Sequence, residues 1–219
     1  MAAGTFKLRK SRTMFDARLR PLIDPPLDAA GRRLARLGIT ADQVTLAGFA
    51  CGMSAALAIA LGAPLAGAVL VALNRLLDGL DGAVARASHK SDRGGYLDIV
   101  LDFFFYGAVP FAFALHAPQA NALAAGALLL AFYMNGASFL GFAIMAEKRG
   151  LSTDAQGRKS LYYLGGLAEG AETIAVFLAM CLLPSCFAIL AWGFAAVCVV
   201  SAVSRVVLVA GLLGDADAP

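Results

Sequence analysis

Residues 65–115 read LAGAVLVALNRLLDGLDGAVARASHKSDRGGYLDIVLDFFFYGAVPFAFAL, and this stretch decides the fold. Two apolar runs, Leu65 to Leu77 and Ile99 to Leu115, flank a segment carrying Asp78, Asp81, Asp98 and Asp102. The first two acids are three residues apart and the last two four apart, so each pair projects from within one turn of a helix. No proline interrupts the first run, which therefore continues as a single helix through its acids to about Ala87. A short loop, about Ala87 to Arg93, then returns the chain antiparallel, bringing the two pairs face to face.

Outward from this hairpin the composition is that of a membrane protein. Of 219 residues, 60% are hydrophobic and only 15% charged, and the mean hydropathy of +0.75 lies outside the range of ordinary soluble domains. Apolar stretches of roughly transmembrane length fall at Val44 to Leu61, Leu65 to Leu77, Ile99 to Leu115, Ala120 to Met145, Tyr162 to Leu183 and Phe187 to Leu213. The expectation is an all-α, polytopic membrane protein with six transmembrane helices. Three regions follow: a basic N-terminal arm with an interfacial helix (1–38), a six-helix catalytic domain (39–213) and a short cytoplasmic tail (214–219).

Basic residues set the orientation. Nine of them, from Lys7 to Arg36, precede the first span, while Gly62 to Pro64, His116 to Gln119 and Leu183 to Ser185 carry no Lys or Arg. Arg86, Lys90 and Arg93, and then Lys148, Arg149, Arg158 and Lys159, fall in connections that an even helix count places on the same side. Both termini and the acidic site are thus expected to face the cytoplasm. The net charge of +3 reads as a topology and lipid-surface signal, with no nucleic-acid partner implied.

Before the first span, Leu27 to Leu37 places Leu27, Ala30, Leu34 and Leu37 on one face and Arg32, Arg33 and Arg36 on the other, the pattern of an amphipathic helix lying in the interface. A solvated basic arm is the competing reading. Pro25 and Pro26 are expected to separate this helix from Met14 to Ile23, and the residues up to Thr13 lack the apolar core of a signal peptide. Cys51, Cys181, Cys186 and Cys198 lie in or beside apolar spans without metal-ligand spacing and read as small hydrophobes, not disulfide partners.

Four carboxylates converging near a bilayer repel one another unless a multivalent cation neutralises them. An all-oxygen set favours a hard divalent ion, Mg²⁺ or Mn²⁺, over zinc, and four aspartates suffice for two ions. Gly79, Gly82, Ala83 and Ala85 strip bulk from the helix beside the acids, and Gly94 and Gly95 do so where the next helix opens. Close helix packing explains small residues in membranes generally. Room for a ligand explains why they adjoin the acids. Arg86 adds a fixed positive charge suited to phosphate oxygens or a neighbouring carboxylate.

These residues resemble the signature of the CDP-alcohol phosphotransferase (class-I phosphatidyltransferase) family, D-x2-D-G-x2-A-R-x8-G-x3-D-x3-D. Asp78, Asp81, Gly82, Ala85, Arg86, Gly94, Asp98 and Asp102 find counterparts, with seven residues between Arg86 and Gly94 where the pattern has x8. The likeness is greatest to bacterial inner-membrane members that share runs such as LNRLLDGLDGA, GGYLDIVLDFFFYG and KSLYYLGGLAEGAETI. The resemblance implies a phospholipid-biosynthesis enzyme that moves the phosphoryl-alcohol group of a CDP-alcohol, usually CDP-diacylglycerol, to an acceptor alcohol and releases CMP.

It further implies roles. Asp78, Asp81, Asp98 and Asp102 would hold the metals, with Asp102 also the general base; Asp78, Gly82, Ala85, Arg86 and Gly94 would receive the CDP-alcohol. Arg149, Arg158, Lys159, Glu169 and Glu172, with Arg205 nearby, are candidates for the acceptor side, or else a structural ion-pair set between helices. Asn74 and Arg75 are secondary intramembrane candidates, Arg75 as a partner for an adjacent acid. Asp42 and Thr45 sit in a segment like the family's nucleotide-framing entry, without its usual proline and asparagine. A homodimer is expected from relatives. Two other classes share some of these features: a cation transporter or channel, and a diphosphate-dependent prenyl transferase.

Overall fold

The computed structural model describes residues 15–149 and 170–215, with side chains from residue 24 onward except at 212, 214 and 215; the N-terminal arm to Thr13, the start of the predicted fifth span, Arg158, Lys159, Glu169 and residues 216–219 lie outside the described residues. The described residues are all-helical: α1 (Phe15–Arg36), α2 (Ala41–Ala60), α3 (Pro64–Ala87), α4 (Asp92–His116), α5 (Pro118–Lys148), α6 (Gly170–Leu182) and, after a 3-10 turn at Pro184–Cys186, α7 (Phe187–Asp215).

The turns explain the bounds. Gly38 (φ +79°) ends α1 and Gly62 (φ +83°) turns α2 into α3, both in the left-handed region that glycine enters without steric cost. Thr40 and Gln43 form a reciprocal capping box, the Thr40 hydroxyl accepting from the Gln43 amide at 3.3 Å and Gln43 Oε1 from the Thr40 amide at 3.0 Å. Ser91 caps α4 by accepting from the Gly94 amide at 3.0 Å. The α3–α4 connection is therefore tighter than expected: Ser88 to Ser91 form the turn, and Arg93 and Gly94 already belong to the first turn of α4.

The helices pack in a bundle. α3 lies against α1, α2 and α6, α4 lies between α2 and α5, and α7 covers α5. Phe105 and Phe177 meet edge to face with centroids 5.9 Å apart, and Phe113 stacks on Phe187 at 4.5 Å, in the geometry that aromatic quadrupoles favour. Gly52 admits Phe105: a Cβ there would fall 2.7 Å from its ring. Cys181 and Cys198 are buried in this core, and all four cysteines are free.

Among the described residues four segments are long and apolar enough to cross a membrane: α2, α4, α5 and Pro184–Gly211. The described part of α6 spans 13 residues and is apolar but short. The described residues thus form an all-helical, multi-pass architecture.

α1 differs from expectation in two respects. It runs unbroken through Pro25 and Pro26. Each proline forfeits an N–H bond and crowds the preceding turn, but the residues just beyond them are fastened to α3, which holds the helix on its course. Leu27 packs over Gly79, and Gly31 is buried so tightly that a Cβ on it would meet the Ala83 backbone at 2.7 Å. The face turned to α3 is Leu27, Gly31, Leu34 and Ala35, whereas Ala30 and Leu37 are exposed.

Candidate active site

The tight Ser88 to Ser91 turn sets α4 antiparallel to α3, and their acids converge. One carboxylate oxygen from each of Asp78, Asp98 and Asp102 lies within 4.8 Å of the other two. Asp81 points to the side of this trio: its Oδ2 accepts a 2.7 Å hydrogen bond from the Thr45 hydroxyl of α2. All four acids still border one crevice, of about 10 Å³, with Thr45, Asn74 and Leu101. That space suits an ion or a single water.

Arg75, one turn before Asp78, pairs with that acid, as its spacing predicted. Among the described residues its single positive charge stands against four carboxylates, which leaves the cluster net negative. Asn74 is buried and spends an amide hydrogen on the Gly48 carbonyl at 2.9 Å, bracing α3 against α2. Three converging oxygens from separate carboxylates, partly buried and under-neutralised, fit a hard divalent cation.

Beside the crevice opens a second cleft of about 290 Å³, toward the lower end of ligand-pocket sizes. Thr45, Asp81 and Asp98 line both spaces, so the two adjoin. The cleft is bounded by Gly82, Ala85 and Arg86 on α3 and by Gly94 and Gly95 on α4, with Asp42 and Thr45 from α2 opposite. The small residues of the motif thus divide by task. Gly79 and Ala83 seat α1, while Gly82, Ala85, Gly94 and Gly95 keep the cleft open.

Asp42 and Thr45 are more central than their departure from the family pattern implied. Asp42 Oδ2 lies 3.4 Å from Arg93 Nε, and Oδ1 lies 3.1 Å from where a Cβ on Gly94 would sit. Arg86 donates from Nε (3.2 Å) and Nη2 (2.7 Å) to Asp28 Oδ1 on α1, a residue that sequence reasoning missed. No helical spacing links positions 28 and 86; only the docking of α1 does.

The acceptor-side candidates are less converged. Arg149 donates to the Leu213 carbonyl at 3.4 Å, joining the ends of α5 and α7. Glu172 is half-buried in the first turn of α6. Arg205 is only 6% exposed, and its Nη1 donates to the Asn135 carbonyl, Asn135 Oδ1 and Ser138 Oγ at 3.1, 3.0 and 2.8 Å. It thereby ties α7 to α5.

The apolar helical bundle thus carries a carboxylate trio beside a glycine-lined cleft, a site with room for a hard divalent cation and a phosphorylated ligand. The CDP-alcohol phosphatidyltransferase model matches residues 38–204, and the chain belongs to that family. It is 52% identical to the inner membrane protein YnjF of Escherichia coli over 88% of this chain and 94% of that one. It is 29% identical to the archaetidylinositol phosphate synthase of Aeropyrum pernix over 92% and 95% of the two chains. Among solved structures it resembles the Mycobacterium tuberculosis phosphatidylinositol phosphate synthase with CDP-DAG bound (TM-score 0.63, 26% identity, 82% of this chain and 91% of that one). The same enzyme in complex with manganese and citrate superposes with a TM-score of 0.66 at 25% identity, covering 82% and 87%.

Proposed function

We propose that this enzyme transfers the phosphatidyl group of CDP-diacylglycerol to an acceptor alcohol, releasing CMP, at the cytoplasmic face of a bacterial inner membrane. The observation that carries the reading is the carboxylate trio beside the glycine-lined cleft, with Asp98 bordering both. The mycobacterial relative with bound CDP-DAG supports the donor, and the YnjF relative supports the membrane.

In this reading Asp78, Asp81 and Asp98 hold the divalent ions, Mg²⁺ or Mn²⁺ and two in number, with Asp102 beside the second. When bound, these ions supply positive charge that stabilises the phosphate departing as CMP. Gly82, Ala85 and Gly94 admit the cytidine and diphosphate, and Arg86 offers its guanidinium to phosphate oxygens. Asp102 takes the proton of the acceptor hydroxyl. The acceptor oxygen forms a new bond to the lipid-bearing phosphorus, the bond from that phosphorus to the bridging oxygen breaks, and CMP leaves with the electron pair.

We place six spans in the bilayer: the four apolar segments, α3, whose motif charges sit at its cytoplasmic end, and α6 extended by the residues before it. α1 lies in the cytoplasmic interface, the termini are cytoplasmic, and two copies form a homodimer. Arg149, Arg158 and Lys159, with Glu169 and Glu172, form the acceptor side. The names of the archaeal and mycobacterial relatives make an inositol phosphate the first acceptor to try.

The deciding experiment incubates purified protein with labelled CDP-diacylglycerol, Mg²⁺ or Mn²⁺, and a panel of alcohols including inositol phosphate, glycerol 3-phosphate and serine. Metal-dependent CMP release with a new phospholipid is the expected result. No CMP release with any acceptor or CDP-alcohol overturns the reading, and cation flux in liposomes without turnover favours a transporter.

A further inference from the structure

We propose that Asp28 on α1 is a positioning residue for Arg86, making the interfacial helix one wall of the donor cleft; the inference deepens the functional reading above and rests on it. Arg86 sits at the exposed end of α3, where a long side chain has many rotamers available. Asp28 removes that freedom by accepting from both Nε and Nη2 at one oxygen. The remaining nitrogen, Nη1, lies 3.4 Å from where a Cβ on Gly82 would stand, so the guanidinium is laid across the glycine of the cleft. Among the described residues Nη1 makes no hydrogen bond. It is the donor left over for a phosphate oxygen.

Asp28 is itself held in place. Leu27 packs over Gly79 and Gly31 against the Ala83 backbone, one residue before and three after it, so the α1 register at Asp28 cannot slide. The pair is also half-exposed, with side-chain exposures of 47% for Arg86 and 36% for Asp28. Exposed ion pairs contribute little to stability, so what this one controls is the direction of Arg86. Removing Asp28 should therefore weaken donor binding and leave the fold intact.

The test uses the full chain purified in lipid, with KM for CDP-diacylglycerol and kcat from CMP release, and with affinity for cytidine diphosphate in the presence of Mn²⁺ from calorimetry. Asp28→Ala is expected to raise KM and weaken that affinity roughly fivefold with kcat within about twofold, the size of effect a partly exposed charge pair supports. Asp28→Glu is expected to restore most of the loss, Asp24→Ala on the same helix to cause none, and Asp28→Ala to add nothing in an Arg86→Ala background. Should Asp28→Ala fail to fold, Asp28→Asn carries the same measurements. Unchanged KM and affinity, or losses that multiply with those of Arg86→Ala, overturn the inference. Absent turnover in the wild type counts against the functional reading instead, and the calorimetry still decides the role of Asp28.

Discussion

The Thr45 hydroxyl donates a 2.7 Å hydrogen bond to Oδ2 of Asp81, so an uncharged residue of α2 sets the orientation of an acid on α3. The same hydroxyl lies 3.0 Å from the Ala41 carbonyl, which keeps it in place at the start of α2. Thr45→Val preserves the shape and removes the bond. A hydrogen bond to a charged group is worth about 1.5–3 kcal/mol, so turnover should fall on the order of tenfold or more while Thr45→Ser stays near wild type. Steady-state CMP release with both variants checks this.

Asp102→Asn keeps the size and hydrogen-bonding shape of the side chain but cannot accept the acceptor's proton as a base. The expected outcome is a loss of CMP release of about a hundredfold or more, with nucleotide binding largely retained. Near-normal turnover in the purified variant would assign the base elsewhere.

Three carboxylates whose oxygens lie within 4.8 Å of one another repel, so the protein should be stabilised by the ion that relieves them. Thermal denaturation in detergent should show a rise in Tm on adding Mn²⁺ or Mg²⁺, reversed by chelator. In Asp98→Asn the repulsion is already reduced. That variant should start from a Tm at or above that of the metal-free wild type and gain much less from the ion.

Gly31 fills a contact that tolerates no side chain. Gly31→Leu must push α1 off the Ala83 backbone, an overpacking cost of about 1–3 kcal/mol. The variant should lose protease protection in α1 before the rest of the bundle, read by limited proteolysis and mass spectrometry.

The legibility of these features tracks how far along the chain their parts lie. Asp78 and Asp81, Asp98 and Asp102, and the pairing of Arg75 with Asp78 are helical neighbours, and one short turn brings the two acid pairs together; spacing alone reaches all of it. Thr45 to Asp81 and Asp28 to Arg86 cross from one helix to another, and periodicity carries no information about which faces meet. The run of α1 through Pro25 and Pro26 was illegible for a related reason. The local proline rule predicts a break, and tertiary packing on α3 overrides it. Gly79 and Gly82 look alike in sequence, yet one seats a leucine and the other borders a cleft.

The tight turn at Ser88 to Ser91 also has a consequence for biosynthesis. All four acids lie between residues 78 and 102, and Thr45, the outside partner of Asp81, and Asp28, the partner of Arg86, come earlier still. Translation therefore completes the carboxylate cluster by the end of α4, before α5, α6 and α7 exist. The later helices are added around a centre whose carboxylates already stand together, and the geometry of the cluster does not wait for the C-terminal half of the chain.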